Sequence, residues 1–250
     1  MAGRLLELTL GDAYSNLAAE EALFRLARVP TLRVWDNQKS VIIGRAQLAR
    51  VETDVDYCAE NSIPIVRRFT AGGAVYNGPG NLNWSFYAPS GAEDTGRVRY
   101  SSDAGRIFEA FAGIVVDGLA SCSVAARFVA PNRIEDSLGK KISGMAAYIS
   151  KQAVICHGTL LLDADLDEAI RVTTPADTRI DRKYPRSNFM EIANSGADRD
   201  EFVSNLCAAA GIDHASDAMT IEERELALEL RAKYERREWS LGDPFALDKL

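Results

Sequence analysis

One stretch constrains this chain more than any other: Arg67-Arg68-Phe69-Thr70-Ala71-Gly72-Gly73-Ala74-Val75-Tyr76. Ile63 to Arg68 reads as a strand, and LNWSFY, Leu82 to Tyr87, reads as another. A strand therefore delivers two adjacent cations into a glycine-rich turn, and the chain returns as strand. Glycine lets backbone approach a ligand closely and exposes N–H groups. A guanidinium matches phosphate oxygens in bidentate geometry. Two readings fit these residues: a phosphate cradle, or a surface arginine pair beside a hairpin turn. The spacing matches neither GxxxxGK[ST] nor GxGxxG.

The rest of the chain sets this turn in an alternating frame. Leu5 to Leu10 reads as a strand, and Ser15 reads as the N-cap of the helix NLAAEEALFRLAR. Thr31 to Trp35 and Ser40 to Ile43 are β-rich runs parted by the turn signal Asp36-Asn37. Asp54 to Asn61 predicts a short helix. Ser101 to Leu119 predicts an amphipathic one, with Ile107, Phe111, Ile114 and Val115 at helical spacing. Strands around Lys141 to Tyr148 and Ala153 to Leu162 follow, joined by Ser150-Lys151. Helices at Leu166 to Val172, Asp200 to Ala210 and Ile221 to Arg236 complete the chain. Strands cluster early and connections are short. The expectation is one α+β domain over residues 1–250, with a mixed sheet covered by helices on one face.

Composition narrows the function. Apolar residues are 47% and charged residues 26%, the balance of a globular chain with a core. The net charge of −7 argues against nucleic acid as a partner, which needs a basic face. No run nears the ~18 apolar residues of a membrane helix, and the start MAGRLLELTLGD is not a secretion signal. A cytoplasmic protein is the expectation. Cys58, Cys122, Cys156 and Cys207 lie far apart with no CxxC pair, so they read as reduced thiols. His157 and His214 are too few for a multi-histidine metal centre.

Two further segments carry chemistry. In Gly139-Lys140-Lys141-Ile142-Ser143-Gly144 a lysine in strand context sits beside small residues. It can set a point charge against a phosphate or a carbonyl, or it belongs to a solvated lysine edge. In AVICHGTLLL a lone histidine, His157, lies in an apolar run, where a structural histidine also fits.

At these residues a resemblance enters. RRFTAGGAVYNGPGNLNWSF resembles the central motif of the lipoate–protein ligase family. GKKISGMA and HGTLLLDADL resemble its second half, and NLAAEEAL, LRVWDNQKSVIIGRAQ and KYERREWSLG match more weakly around them, all in the family's order. The resemblance implies a fold of mixed β-sheets flanked by helices, shared with biotin ligases and octanoyl transferases. It implies activation of lipoate with ATP and Mg2+ to lipoyl-AMP. The lipoyl group then passes to the ε-amine of a lysine on a lipoyl domain. Acceptors would be 2-oxoacid dehydrogenase acyltransferase subunits, a glycine-cleavage H protein or a similar carrier.

By motif position, Arg68 and the Gly73-Ala74-Val75-Tyr76 stretch would contact the nucleotide, with Arg67 and Gly72 beside them. Lys141 would be the catalytic lysine, touching both the adenylate phosphate and the lipoyl carbonyl. Trp35, Gly44, Arg45, Gln47 and His157 would lie at the lipoyl pocket. Arg67, Arg68, Lys141 and Mg2+ would together offset the repulsion between carboxylate and α-phosphate.

The chain departs from the family in two places. Ala71 replaces the first of three glycines, and Asn77-Gly78 replaces a His-Asp pair, which leaves the metal ligands unknown. The resemblance ends near Trp239, so a catalytic domain without a C-terminal accessory domain is expected, with a separate accessory protein completing it. An octanoyl or lipoyl transferase of the same fold is the nearest alternative, but it needs an activated cysteine. One branch carries that thiol just upstream of the lysine motif, where this chain has Arg127; the other carries it beyond His-Gly, where residues 158 to 206 hold none. A non-catalytic lipoate or lipoyl-domain binding protein is the third reading.

Overall fold

The computed structural model describes residues 3–91, 96–175 and 183–249. Strand β1 (Gly3–Glu7) leads into helix α1 (Ala13–Arg25). Strands β2 (Thr31–Trp35) and β3 (Ser40–Ile43) precede helices α2 (Ala49–Glu52) and α3 (Val55–Glu60). Next come β4 (Ile65–Arg67), β5 (Val75–Asn77) and β6 (Asn81–Pro89). Helix α4 (Ala104–Ser121) is followed by β7 (Ala126–Val129), β8 (Arg133–Asp136), β9 (Lys141–Ile149) and β10 (Ala153–Leu161). Helices α5 (Leu166–Val172) and α6 (Arg199–Ala210), strand β11 (Ile212–Ser216), and helices α7 (Ile221–Glu235) and α8 (Arg237–Leu241) end the fold.

The strands form a mixed eight-stranded sheet, β11-β1-β2-β6-β10-β9-β8-β7, and a small sheet, β4-β3-β5. Side chains alternate across the large sheet with period two. Leu5, Phe86, Val154 and Cys156 face one core with α4 and α6, where Phe86 stacks on Phe111 at 5.2 Å between centroids. Leu6, Tyr87 and Ile155 face the other core, under α1 and α7. Helices thus cover both faces of the sheet, not the single face the sequence suggested. The near-continuous burial of β6 follows from this, because neither face meets water.

The structure adds detail at three other places. β2 and β3, which flank the turn at Asp36-Asn37, belong to different sheets, so the chain crosses between sheets there. The N-cap of α1 is Asp12, whose carboxylate accepts from Ser15 N at 2.7 Å. β7, β8 and β11 lie at the margins of the sheet; their short or charged sequences carry little β signal. Among the described residues no helix is long and apolar enough to cross a membrane.

One side chain fastens the C-terminal part to the small sheet. Arg67, at the end of β4, is fully buried. Its guanidinium donates to the carbonyls of Trp239 (2.6 Å), Arg45 (2.9 Å), Gly242 (3.0 Å), Gly44 (3.2 Å), Ser240 (3.2 Å) and Gln47. Trp239 returns a bond from its indole N–H to the Arg67 carbonyl at 2.7 Å. Burial, with the neighbouring Arg45 charge, brings the Arg67 pKa down to about 10. Arg67→Lys leaves several of these carbonyls without donors in a dry site, a cost on the order of 3 kcal/mol. Thermal unfolding checks this: a midpoint lowered by about 5–10 °C is expected, and an unchanged midpoint would show that the clamp is dispensable.

Candidate active site

The register of the large sheet lays one row of side chains across five strands. Trp35 on β2 pairs with Asn83 on β6, Asn83 with Thr159 on β10, Thr159 with Gly144 on β9, and Gly144 with Arg133 on β8. At the usual strand separation this row spans roughly 19 Å. The next row along, Arg33, Ser85, His157 and Ala146, is parallel to it. The first row, with His157 and Ala146 of the second, floors a cavity of about 350 Å³. Leu17, Ile42 and Val75 add apolar wall at the Trp35 side. The glycine turn covers it from the small sheet, and the segment Pro185 to Met190 forms an outer lip.

The glycine turn is built around Arg68. Its guanidinium donates to the carbonyls of Ala71 (2.6 Å) and Gly73 (2.9 Å), to Ile42 O (3.3 Å), and to Thr70 Oγ1 (3.0 Å). Carbonyls pulled inward turn the neighbouring N–H groups outward, and Ala74 N donates to Ser187 Oγ at 2.7 Å. Gly72 has φ of +98°, and a Cβ there would lie 2.7 Å from Arg68 Nη2, so glycine is required. Ala71 is not among the residues with positive φ, and alanine is tolerated where the family has glycine. Burial holds the Arg68 pKa down to about 10.

A buried chain of polar groups ties this turn to α1. Thr70 Oγ1 accepts from Arg68, so its own proton is free to go to His157 Nε2 at 2.8 Å. His157 Nδ1–H then donates to Glu20 Oε1 at 2.8 Å. Ser85 also donates to Glu20 Oε1 (2.6 Å), and Trp35 Nε1 donates to Ser85 (3.4 Å). Burial alone would raise the Glu20 carboxyl, but His157, Ser85 and Arg33 hold it below the ordinary glutamate value.

Lys141 is the contrasting case. Its side chain folds over Gly144, where a Cβ would lie 2.7 Å from Nζ. It lines the cavity, yet among the described residues it has no carboxylate partner. Burial lowers its pKa, and Arg133 and Arg68 add to the effect. Lys141 therefore stands in the cavity with no ion-pair partner among the described residues, while Arg68 feels Glu20 and Arg133 is paired with Glu135.

The structure gathers Trp35, Arg68, Gly72, Gly73, Ala74, Val75, Lys141 and His157 on the cavity wall. It separates others. Arg67 points away, into the carbonyl clamp, so the expectation that it meets the nucleotide fails on geometry. Tyr76 donates its hydroxyl to Glu168 at 2.8 Å, on the outer side of the small sheet. Gly44 backs Gly72, whose carbonyl leaves no room for a Cβ. Arg45 lies over the Trp239 ring at 5.4 Å, and Gln47 bonds Gly44 N and Glu52 behind the lip. Sequence reasoning missed Glu20, Asn83, Asn132, Arg133, Thr159 and Ser187. Period-two alternation from His157 could have found Thr159; nothing in the sequence pattern marks Ser187.

A divalent ion was implied by the resemblance. Among the described residues no three His, Cys, Asp or Glu side chains converge. Glu20, on the cavity wall, gives its Oε1 to His157 and Ser85, and its buried Oε2 has no hydrogen-bond partner, which leaves one carboxylate oxygen where a hard cation needs several oxygens. These residues do not fit a resident Mg2+.

The Glu20 shift has a pH consequence. A carboxyl held below its ordinary value of 4.5 stabilises the fold fully above that pH, and the contribution is lost as pH falls through the folded value. Between about pH 5 and about pH 3 the wild type should lose more stability than Glu20→Gln, whose amide does not titrate. Denaturant midpoints at both pH values check this; equal losses would contradict it.

Known proteins share this framework. Residues 12–197 match the family model described as the lipoyl protein ligase A/B catalytic domain. Lipoate-protein ligase A subunit 1 of Thermoplasma acidophilum is 32% identical over 97% of both chains. A solved bipartite lipoate protein ligase with its E2 lipoyl domain, also from Thermoplasma acidophilum, superposes with a TM-score of 0.83 at 32% identity over 97% of both chains. A lipoate-protein ligase A bound with ATP superposes with a TM-score of 0.82 at 31% identity, over 97% of this chain and 99% of that one.

Proposed function

The chain belongs to the lipoyl protein ligase A/B catalytic-domain family, and we propose that it is a lipoate–protein ligase. It activates lipoate with ATP to lipoyl-AMP and transfers the lipoyl group to the ε-amine of a lysine on a lipoyl domain. The observation that carries this reading is Lys141, a half-buried cation with no ion-pair partner among the described residues, in a cavity that runs from apolar residues at Trp35 to cations at Arg133.

In the first step a lipoate carboxylate oxygen attacks the α-phosphorus of ATP. The bond to the bridging oxygen breaks, and pyrophosphate leaves with that oxygen. Carboxylate and phosphate repel each other, and Lys141 and Arg68 supply positive charge from a partly enclosed wall, where it acts more strongly than in bulk water. A bound phosphate also favours the protonated state of Lys141, which burial disfavours. In the second step the acceptor amine attacks the lipoyl carbonyl carbon, loses its proton and expels AMP. The oxyanion formed is stabilised by Lys141, an effect typically worth about 3 kcal/mol. Gly72 to Val75 form the nucleotide wall, while Trp35 and His157 line the acyl slot. ATP, with any divalent ion it carries, and lipoate are substrates.

A transferase working through a thioester would need a thiol in the cavity. Among the described residues no cysteine lines it. Cys156 faces the opposite core, and burial pushes its thiol far up. The Thermoplasma relative is subunit 1 of a bipartite ligase, and this chain matches it over 97% of its length. The proposal therefore includes a second polypeptide and a lipoyl domain as partners, in the cytoplasm where thiols stay reduced.

Lys141→Ala should reduce lipoate-dependent ATP–pyrophosphate exchange by at least ~100-fold, while the unfolding midpoint stays put. Full exchange in that variant would remove Lys141 from the chemistry. Acylation of a lipoyl domain, with lipoate and ATP or octanoyl carrier protein as donor, tests the reaction class. Cys156→Ser should leave the ATP-driven transfer intact, and abolished transfer would favour the thioester route.

A further inference from the structure

We propose that Arg133 is a phosphate-binding residue of this site, supplying the charge that a protein-held divalent cation supplies elsewhere, so that ATP binds here without one. The inference rests on the ligase reading of the cavity and deepens it.

Arg133 opens β8 and faces Gly144 across the ladder to β9. The side chain of Lys141 folds over the same Gly144. The missing Cβ at that position is what lets two cations share one patch of cavity wall. Arg133 is held from behind: its Nε donates to Glu135 at 2.7 Å. Glu135 is itself buried and takes a second bond from Arg127 at 3.2 Å. Among the described residues Arg133 Nη2 donates to nothing, and Nη1 reaches only the Ala130 carbonyl at 3.5 Å. The outer edge of the guanidinium is therefore open, which is the edge that grips a phosphate with two parallel bonds.

The same site disfavours a metal held by protein. Asn77-Gly78 stands where the family has His-Asp. Among the described residues no acidic cluster replaces it. A divalent cation beside Arg133, Lys141 and Arg68 would meet three like charges within one cavity, against Glu20 on the wall and Glu135, which Arg133 and Arg127 already share. Phosphate oxygens meet three opposite ones. Two adjacent residues support the arrangement. Asn132 is pinned to Met145 by bonds of 2.9 Å between backbones and 2.7 Å from its amide, so the start of β8 is rigid. Lys141 also feels Arg133 directly, since that charge helps to lower its pKa.

The test is calorimetric binding of ATP to the purified chain, in excess EDTA and in excess Mg2+, with lipoate binding and the unfolding midpoint as controls. Wild type should bind ATP in EDTA within about threefold of its affinity in Mg2+. Arg133→Gln should bind ATP at least ~10-fold more weakly in EDTA and recover part of the loss in Mg2+. Its lipoate affinity and its midpoint should match wild type. ATP bound by wild type in Mg2+ but ~10-fold or more weakly in EDTA would overturn the inference and leave the ligase reading standing. So would an Arg133→Gln chain that binds like wild type. No ATP binding in either buffer would overturn both.

Discussion

Two buried guanidiniums saturated by backbone carbonyls hold the site together. Arg67 and Arg68 are neighbours in sequence and point opposite ways, as strand alternation demands. Arg67 gathers the Gly44–Gln47 loop and α8 on one side. Arg68 gathers the glycine turn on the other. Among the described residues neither has a carboxylate partner in direct hydrogen bond. Each removes orphan carbonyls from a dry interior, which is costly to leave undone. The N–H groups of the turn face outward as a result. The turn is a rigid wall because its inner surface is already satisfied.

Charge is divided unevenly in this molecule. The chain as a whole carries −7, yet Lys141, Arg133 and Arg68 converge in one cavity. Acidic groups elsewhere are engaged in ion pairs, such as Glu21 with Lys233 and Glu168 with Lys39. An acidic exterior does not screen a buried cationic pocket, because the interior has low dielectric. Anionic substrate groups therefore gain where the protein itself is least satisfied. Trp35 and Arg133 lie at opposite ends of one row, and under the ligase proposal the apolar tail lies at β2 and the phosphate at β8.

Much of the fold was legible in the sequence. The central strands and most helices follow from period-two and period-3.6 patterns, and α5 matches its expected bounds. The margins were not legible, because ARFV and RIED are short, and half-exposed edges tolerate charge. The second helical layer was missed for a related reason: β6 is apolar on both faces, which periodicity alone reads as ambiguous. At the cavity, Arg68 and Lys141 stand out because glycine beside a cation is a local signal, but the residues alone leave a surface reading open and the family resemblance decides it. Arg67 was misassigned because adjacency in sequence says nothing about which face a strand residue takes. Glu20, Asn83 and Arg133 enter only through sheet register, which joins residues far apart in the chain.

One continuous cavity that holds acyl tail and phosphate at once is the central claim. Its most direct test is isothermal titration of a non-hydrolysable lipoyl-adenylate analogue, compared with lipoate and AMP titrated separately. Both halves bound along one row act as a linked ligand, so the analogue should bind at least ~100-fold more tightly than lipoate alone. An analogue that binds no more tightly than lipoate, or that fails to compete with AMP, would contradict a shared site.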